Sequence, residues 1–354
     1  MTHDQPIISG RFGRRTFIAG TAAAGLLAAC GEDDTAEGSS NDGDPGAGLP
    51  DDSSSDGDFA LIQRYPSNVP VFVPGEVRLP FSLNKDAEFV IDGPETLGGQ
   101  VVDIDGAPIG DRISAVRRDV TPAPYYAFTA QIDAPGIYGI VVDGGPSTGA
   151  NFQVVQPSEV TIPIPGDTLA GFDTPTIDEP NGVDPVCTRE PNCDFHSVTL
   201  DEALASGSPV AYFVGTPAFC ATGSCTPALE ALIELQPQFG DIVFVHAEVY
   251  TDLTAETLTP AVEDLSLLFE PTVFLVGADG VIVDRVDGLW DTTEMRERLQ
   301  ALAGEVSSAA RSRKIVRDPH ASDRPTAPRA ATTSTSADDG ACRTQDSSDP
   351  ARVS

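Results

Sequence analysis

Positive charge is what this chain has least of. Its 354 residues include 21 Lys and Arg against 54 Asp and Glu, a formal net charge of -33, and from residue 59 to residue 305 ten basic groups face thirty-seven acidic ones. A surface of that sign repels phosphate backbones and anionic headgroups, which excludes nucleic acid as a partner; the acidity otherwise serves solubility. Tryptophan occurs once and methionine twice, yet apolar residues make up 40% of the chain, enough to fill two modest cores, so a wholly disordered chain is ruled out. Residues 31–58 lack basic groups and apolar runs alike. Ten acidic residues sit there among Gly, Ser and Pro, and the segment reads as a self-repelling linker that buries too little to order itself. Residues 306–354, rich in Ser, Thr, Ala, Asp and Arg without periodicity, are expected to form a disordered tail in which Cys342 is incidental.

At the N-terminus Arg14 and Arg15 precede Phe17 and Ile18, and an Ala-rich stretch runs to Ala29. It is shorter than the ~20 apolar residues a membrane-spanning helix needs, and has the form of an export signal. The pair resembles the twin-arginine signal, whose substrates commonly cross the membrane already folded. The following Leu27-Ala28-Ala29-Cys30 resembles a lipobox. That resemblance implies a signal peptide over 1–30, a lipid on Cys30, and attachment to the outer face of the cytoplasmic membrane. An uncleaved anchor or an ordinary secretory peptide is the alternative.

Residues 59–157 show short apolar runs at 69–73, 76–83, 100–104, 126–132, 136–142 and 151–155, each bounded by Gly, Pro or Asp and none with a helical period. The pattern predicts an antiparallel β-sandwich. The stretch Pro135-Gly136-Ile137-Tyr138-Gly139 resembles the closing hairpin of immunoglobulin-like modules, which implies a spacer or docking domain without chemistry of its own. A linker with one cysteine pair follows over 158–194. Residues 195–305 then alternate strand and helix and predict an α/β domain, with strands at 209–214, 242–249, 272–276 and 281–286. Thr226 as N-cap and Pro227 at the first helical position open a helix with Leu229, Leu232 and Ile233 on one face. A short helical pattern covers 261–268. A last helix starts at Asp291, with Glu294 completing a capping box and Met295, Leu299 and Leu302 facing inward.

The run from Glu270 through Pro271, Thr272-Val273-Phe274-Leu275-Val276 and the turn Gly277-Ala278-Asp279-Gly280 to Arg285, followed by a helix, resembles the C-terminal half of a thioredoxin-like domain. The resemblance covers about 110 residues. It implies a cis Pro271 lining the substrate groove, Cys220 and Cys225 at the redox position, and no cofactor. It further implies extracytoplasmic thiol–disulfide exchange with thiol- or disulfide-bearing exported proteins. Two departures stand out: Phe219 replaces the usual Trp, and no Lys, Arg or His lies within the loop.

Cys220 and Cys225 are five steps apart. On a regular helix that is ~7.5 Å of rise and ~140° of rotation, so the pair can meet only if the intervening residues form a loop, which Gly223 and Ser224 permit. Order along the chain makes Cys220 the nucleophile, whereas proximity to the helix opening favours Cys225. Other readings of the loop remain open. The pair could be a structural disulfide in a non-catalytic binding or scaffold protein. Thr222 and Cys225 resemble the Thr-x-x-Cys of peroxiredoxins. Cys220, Cys225 and His246 resemble the ligands of Sco-type copper-assembly proteins. Cys187 and Cys193, in a Pro- and Asp-rich segment, are expected to form a local disulfide. Zinc on Cys187, Cys193 and His196 is the alternative, with no fourth ligand evident.

Overall fold

The computed structural model describes residues 57–317, with side chains as far as residue 304. The leader with Arg14, Arg15 and Cys30, nearly all of the acidic linker, and the tail beyond residue 317 with Cys342 lie outside the described residues. The described residues as far as Ala309 belong to one compact unit. No helix among the described residues is long and apolar enough to cross a membrane.

Every pairing between strands in the first part is antiparallel. Its strands are β1 Ala60–Gln63, β2 Gly75–Lys85, β3 Glu88–Phe89, β4 Thr96–Asp103, β5 Pro108–Arg118, β6 Tyr125–Ile132, β7 Gly136–Val142 and β8 Ala150–Val154. They are hydrogen-bonded in the order β1-β2-β6-β5-β4-β7-β8, with β3 on β2. The long β5 serves both halves of this path: its end, Arg117 and Arg118, pairs with β6, and the preceding residues pair with β4. Val77, Leu79, Phe81 and Leu83 alternate inward along β2. Leu79 lies opposite Phe128 and Phe81 opposite Tyr126, and all share one core with Val101, Ile140 and Phe152. Each such side chain contributes about 1.5–3 kcal/mol by burial. The apolar run at 69–73 makes no strand among the described residues, only an isolated bridge from Phe72 to Val154. Pro70 lies within it and Pro74 follows it, and neither can donate to a ladder. Conversely β5 escaped prediction because its exposed charged residues blur the two-residue period.

The second part contains a 3-10 turn, Asp194–His196, then α1 Leu200–Ala205, β9 Val210–Val214, α2 Cys225–Leu235, β10 Val243–Ala247, α3 Pro260–Asp264, β11 Thr272–Val276, β12 Ile282–Asp287 and α4 Thr292–Arg317. The sheet order is β10-β9-β11-β12; β10 runs parallel to β9, and β11 antiparallel to both β9 and β12. The two central strands are buried at every position, so neither shows alternation in its sequence. Their residues nevertheless divide between faces. Ala211, Phe213, Val273 and Leu275 pack with Leu229, Leu232, Met295, Leu299 and Leu302 of α2 and α4. Tyr212, Val214, Phe274 and Val276 pack with Leu200, Ala203, Ala261 and Val262 of α1 and α3. The single tryptophan, Trp290, is buried on the first face and donates to the Ala228 carbonyl at 3.2 Å.

Three expectations need correction. Helix α2 starts at Cys225 with Ser224 as N-cap, and its first backbone bond runs from Ala228 N–H to the Ser224 carbonyl, so Thr226 and Pro227 sit inside the first turn. Pro227 fits there because first-turn N–H groups have no helical partner. Helix α4 continues to Arg317 rather than giving way to disorder at 306, in keeping with the Ala, Arg and Lys content of that stretch. The capping box at its start is only half formed. Asp291 Oδ1 accepts the Glu294 N–H at 2.7 Å, but the Asp291 N–H donates to the Tyr125 hydroxyl of β6.

Glu294 is taken up elsewhere. It is nearly buried, paired with Arg78 of β2 at 2.5 Å, and accepts the Tyr125 hydroxyl at 2.6 Å. Arg118 of β5 reaches Asp291 and Glu297, at 3.2 and 3.0 Å. The antiparallel part is therefore joined to the start of α4 by charge pairs, of which Arg78–Glu294 is largely sheltered from water and Arg118–Glu297 is exposed on its acidic side.

Candidate functional site

The loop between β9 and α2 brings its two cysteines together. Gly223, at φ +68°, takes a left-handed conformation open to glycine, and its N–H donates back to the Cys220 carbonyl at 3.0 Å. This turn folds Cys220 over the N-terminus of α2, where its sulfur accepts the Cys225 N–H at 3.2 Å and lies 3.3 Å from the Thr222 hydroxyl. Cys225, the first residue of the helix, is wholly buried and donates to Glu270 Oε2 at 3.4 Å. The same carboxylate oxygen accepts the Thr216 N–H at 2.6 Å. Both sulfurs and a Glu270 oxygen lie within 4.8 Å of one another, and both cysteines are free thiols.

The electrostatics separate the pair. Hydrogen bonding from the Cys225 thiol, with Thr222 and the N–H groups of Cys225 and Ser224, outweighs burial and holds the Cys220 thiol down to about 5. Burial, then the neighbouring Cys220, pushes Cys225 well above its ordinary value. Burial and the Cys220 charge raise Glu270 to about 8. The helix terminus thus favours a thiolate, as expected, but on Cys220 rather than on Cys225.

A groove of about 360 Å³ opens at Cys220. Phe219, Tyr250 and Glu270 line it on the α/β side, and Arg64 and Tyr65, just after β1, line it on the other. The two parts approach closely here: a side chain at Gly288, φ +83°, would meet the Arg64 carbonyl at 2.5 Å. The Glu270–Pro271 peptide is cis. Pro271 itself is buried, however, and is not among the groove-lining residues; Glu270 takes that place. Sequence reasoning missed Glu270, whose only signal was a carboxylate immediately before the proline.

Cys187 and Cys193 also come together, but not as the expected disulfide. They are free thiols with sulfurs 3.8 Å apart, and Nδ1 of His246 on β10 lies 3.4 Å from Cys193 and 4.0 Å from Cys187. His196 completes the group, and all four ligand atoms fall within 4.8 Å of one another. His246 therefore cannot join Cys220 and Cys225 in a copper site, because its ring is turned to the other cysteine pair. The peroxiredoxin reading fails on burial: Cys225 has no exposed sulfur, and Thr222 contacts Cys220 instead. Glu248 Oε1 accepts the N–H and the hydroxyl of Thr188, at 2.6 and 3.0 Å, and Thr188 Oγ1 accepts the Ala218 N–H at 3.2 Å, so the two cysteine loops are neighbours.

No family model and no curated protein matches the chain. Among solved structures it is similar to a thiol:disulfide interchange protein, a thioredoxin family protein from Chlorobium tepidum TLS, at 13% identity and a TM-score of 0.28, over 40% of this chain and 96% of that one.

Proposed function

We propose that the chain is a thioredoxin-like thiol–disulfide oxidoreductase in which Cys220 attacks and Cys225 resolves. The observation that carries this reading is the asymmetry of the pair: one sulfur sits at a groove on a helix N-terminus with its acidity raised, and the other is buried behind it beside a carboxylate. The Cys220 thiolate attacks a substrate disulfide, forming one S–S bond while the substrate's S–S bond breaks and its second sulfur leaves as thiolate. Cys220 is then uncharged, which removes one cause of the raised pKa of Glu270 and leaves more of its carboxylate ionised and free to accept a proton. Glu270 accepts the Cys225 proton. The Cys225 thiolate attacks Cys220 Sγ, and the substrate sulfur departs, taking the proton back from Glu270. Two electrons pass from the cysteine pair to the substrate, and the reverse sequence oxidises a substrate dithiol.

The partners are thiol- or disulfide-bearing exported proteins, and the chain is exported through its twin-arginine leader and held at the outer face of the cytoplasmic membrane by lipid on Cys30. The leader motif and the lipobox support that placement. Trapping tests the chemistry: Cys225→Ser should accumulate mixed disulfides in the cell envelope, visible on non-reducing gels, and Cys220→Ser should not. If neither variant traps a partner and both only lower the thermal midpoint, the pair is structural and the protein is a scaffold.

A further inference from the structure

Cys187, Cys193, His196 and His246 lie apart from the exchange chemistry and are all buried; the most accessible, Cys193, is 6% exposed. Their ligand atoms converge. A zinc ion held tetrahedrally, at ~2.3 Å from sulfur and ~2.05 Å from nitrogen, requires about 3.8 Å between two sulfurs and about 3.6 Å between a sulfur and a nitrogen. The structure has 3.8 Å between the cysteines, and 3.4 and 4.0 Å from them to His246 Nδ1.

The imidazoles supply two independent observations. Nε2 of His246 lies 2.8 Å from the Gly215 carbonyl, an atom that can only accept, so Nε2 carries the proton and Nδ1 turns its lone pair on the cysteines. A ring nitrogen anchored to a backbone carbonyl while the other faces a ligand cluster is the usual support for a metal-bound histidine. His196, 1% exposed, has no hydrogen-bond partner on either ring nitrogen among the described residues, although the Cys187 sulfur is close by. A buried imidazole left unpaired on both sides is costly, and a metal on one of them removes part of that cost.

We propose that these four residues form a structural zinc site that ties the Pro- and Asp-rich segment before α1 to strand β10. Two thiolates and two neutral imidazoles suit zinc, and four protein ligands leave no open position for catalysis. The segment has few apolar groups of its own, so a metal clip is a physically sufficient source of its order.

The test is elemental analysis of the purified full chain, made without chelator, joined with peptide mapping after alkylation of the unfolded, unreduced protein. One zinc per chain is expected, with Cys187 and Cys193 both alkylated. Cys187→Ser and Cys193→Ser should lose the metal, whereas Cys220→Ser and Cys225→Ser should keep it. Where a ligand variant fails to fold, cobalt exchange into the wild-type chain gives a second reading: a tetrahedral ligand-field band with thiolate charge transfer. A disulfide between Cys187 and Cys193, a different metal in the as-purified chain, zinc lost with Cys220 or Cys225, or no uptake by the reduced wild-type chain would each overturn the proposal.

Discussion

If Cys220 is the attacking thiolate, its reactivity should carry a particular pH signature. Held at about 5 against an ordinary 9.0, it is about 99% ionised at pH 7, where an ordinary thiol is about 1% ionised. That hundredfold advantage is nearly cancelled, because nucleophilicity falls as the pKa falls, at a Brønsted slope of about 0.4–0.5, or roughly 40- to 100-fold over four units. At pH 7 the rate with a small disulfide should therefore match an ordinary thiol within a few-fold. At pH 5 the ionised fractions are about one half and about one in ten thousand, and after the same correction Cys220 should react about 50- to 100-fold faster. The assay is stopped-flow reaction of the reduced protein with dithiodipyridine from pH 4 to 9, glutathione as reference, and mass spectrometry to assign the modified residue. Cys225→Ala removes the largest contributor to the low value, so its profile should move upward while still lying below that of an ordinary thiol. A wild-type midpoint at pH 8 or above would refute the reasoning. So would an unchanged midpoint in Cys225→Ala.

Glu270→Gln removes the proton acceptor beside Cys225; release of substrate from the mixed disulfide should slow by about 10²-fold or more at neutral pH, so that the adduct builds up with Cys225 intact, as gel and mass analysis would show. Glu294→Ala strands the nearly buried Arg78 charge and should cost about 3–5 kcal/mol. At roughly 2–4 °C per kcal/mol that is a drop of about 6–20 °C in the calorimetric midpoint. Burial disfavours the Glu294 carboxylate, but the Arg78 charge and hydrogen bonds outweigh this and hold it well below its ordinary 4.5. The sign follows: the pair's contribution is whole above the unfolded value and lost as pH falls through the folded one, so the gap between wild type and Glu294→Ala should narrow below about pH 4.5. Cys30→Ala should release the protein from the membrane fraction, and substituting Lys for both Arg14 and Arg15 should block export; unchanged fractionation would remove the anchoring and twin-arginine readings respectively.

What could be read without coordinates was what short stretches of chain settle among themselves. The strand at 272–276, the turn at 277–280 and the inward faces of α2 and α4 follow from runs of Val, Leu and Phe punctuated by Gly and Asp, because strand and helix periods are local properties. The closure of the Cys220 loop was legible for the same reason: five steps along a helix cannot join two sulfurs, and Gly223 supplies the turn. Distant pairings were not legible. Thr226 and Pro227 marked a helix start correctly to within two residues, yet whether the helix terminus faces Cys220 or Cys225 depends on how the loop folds back over it. Glu270 becomes part of the site only because β11 lies beside β9, bringing residues 45 positions apart into contact. His246 looked like an ordinary core histidine because burial within β10 explains it equally well; that it faces Cys193, 53 positions earlier, depends on the path of a segment that has no periodicity of its own. The bond from Arg78 to Glu294 spans 216 positions, and it makes one compact unit of two parts whose sequences read as separate domains. Burial and charge pairing act between whatever side chains the folded chain brings together, and sequence neighbours carry no record of those partners.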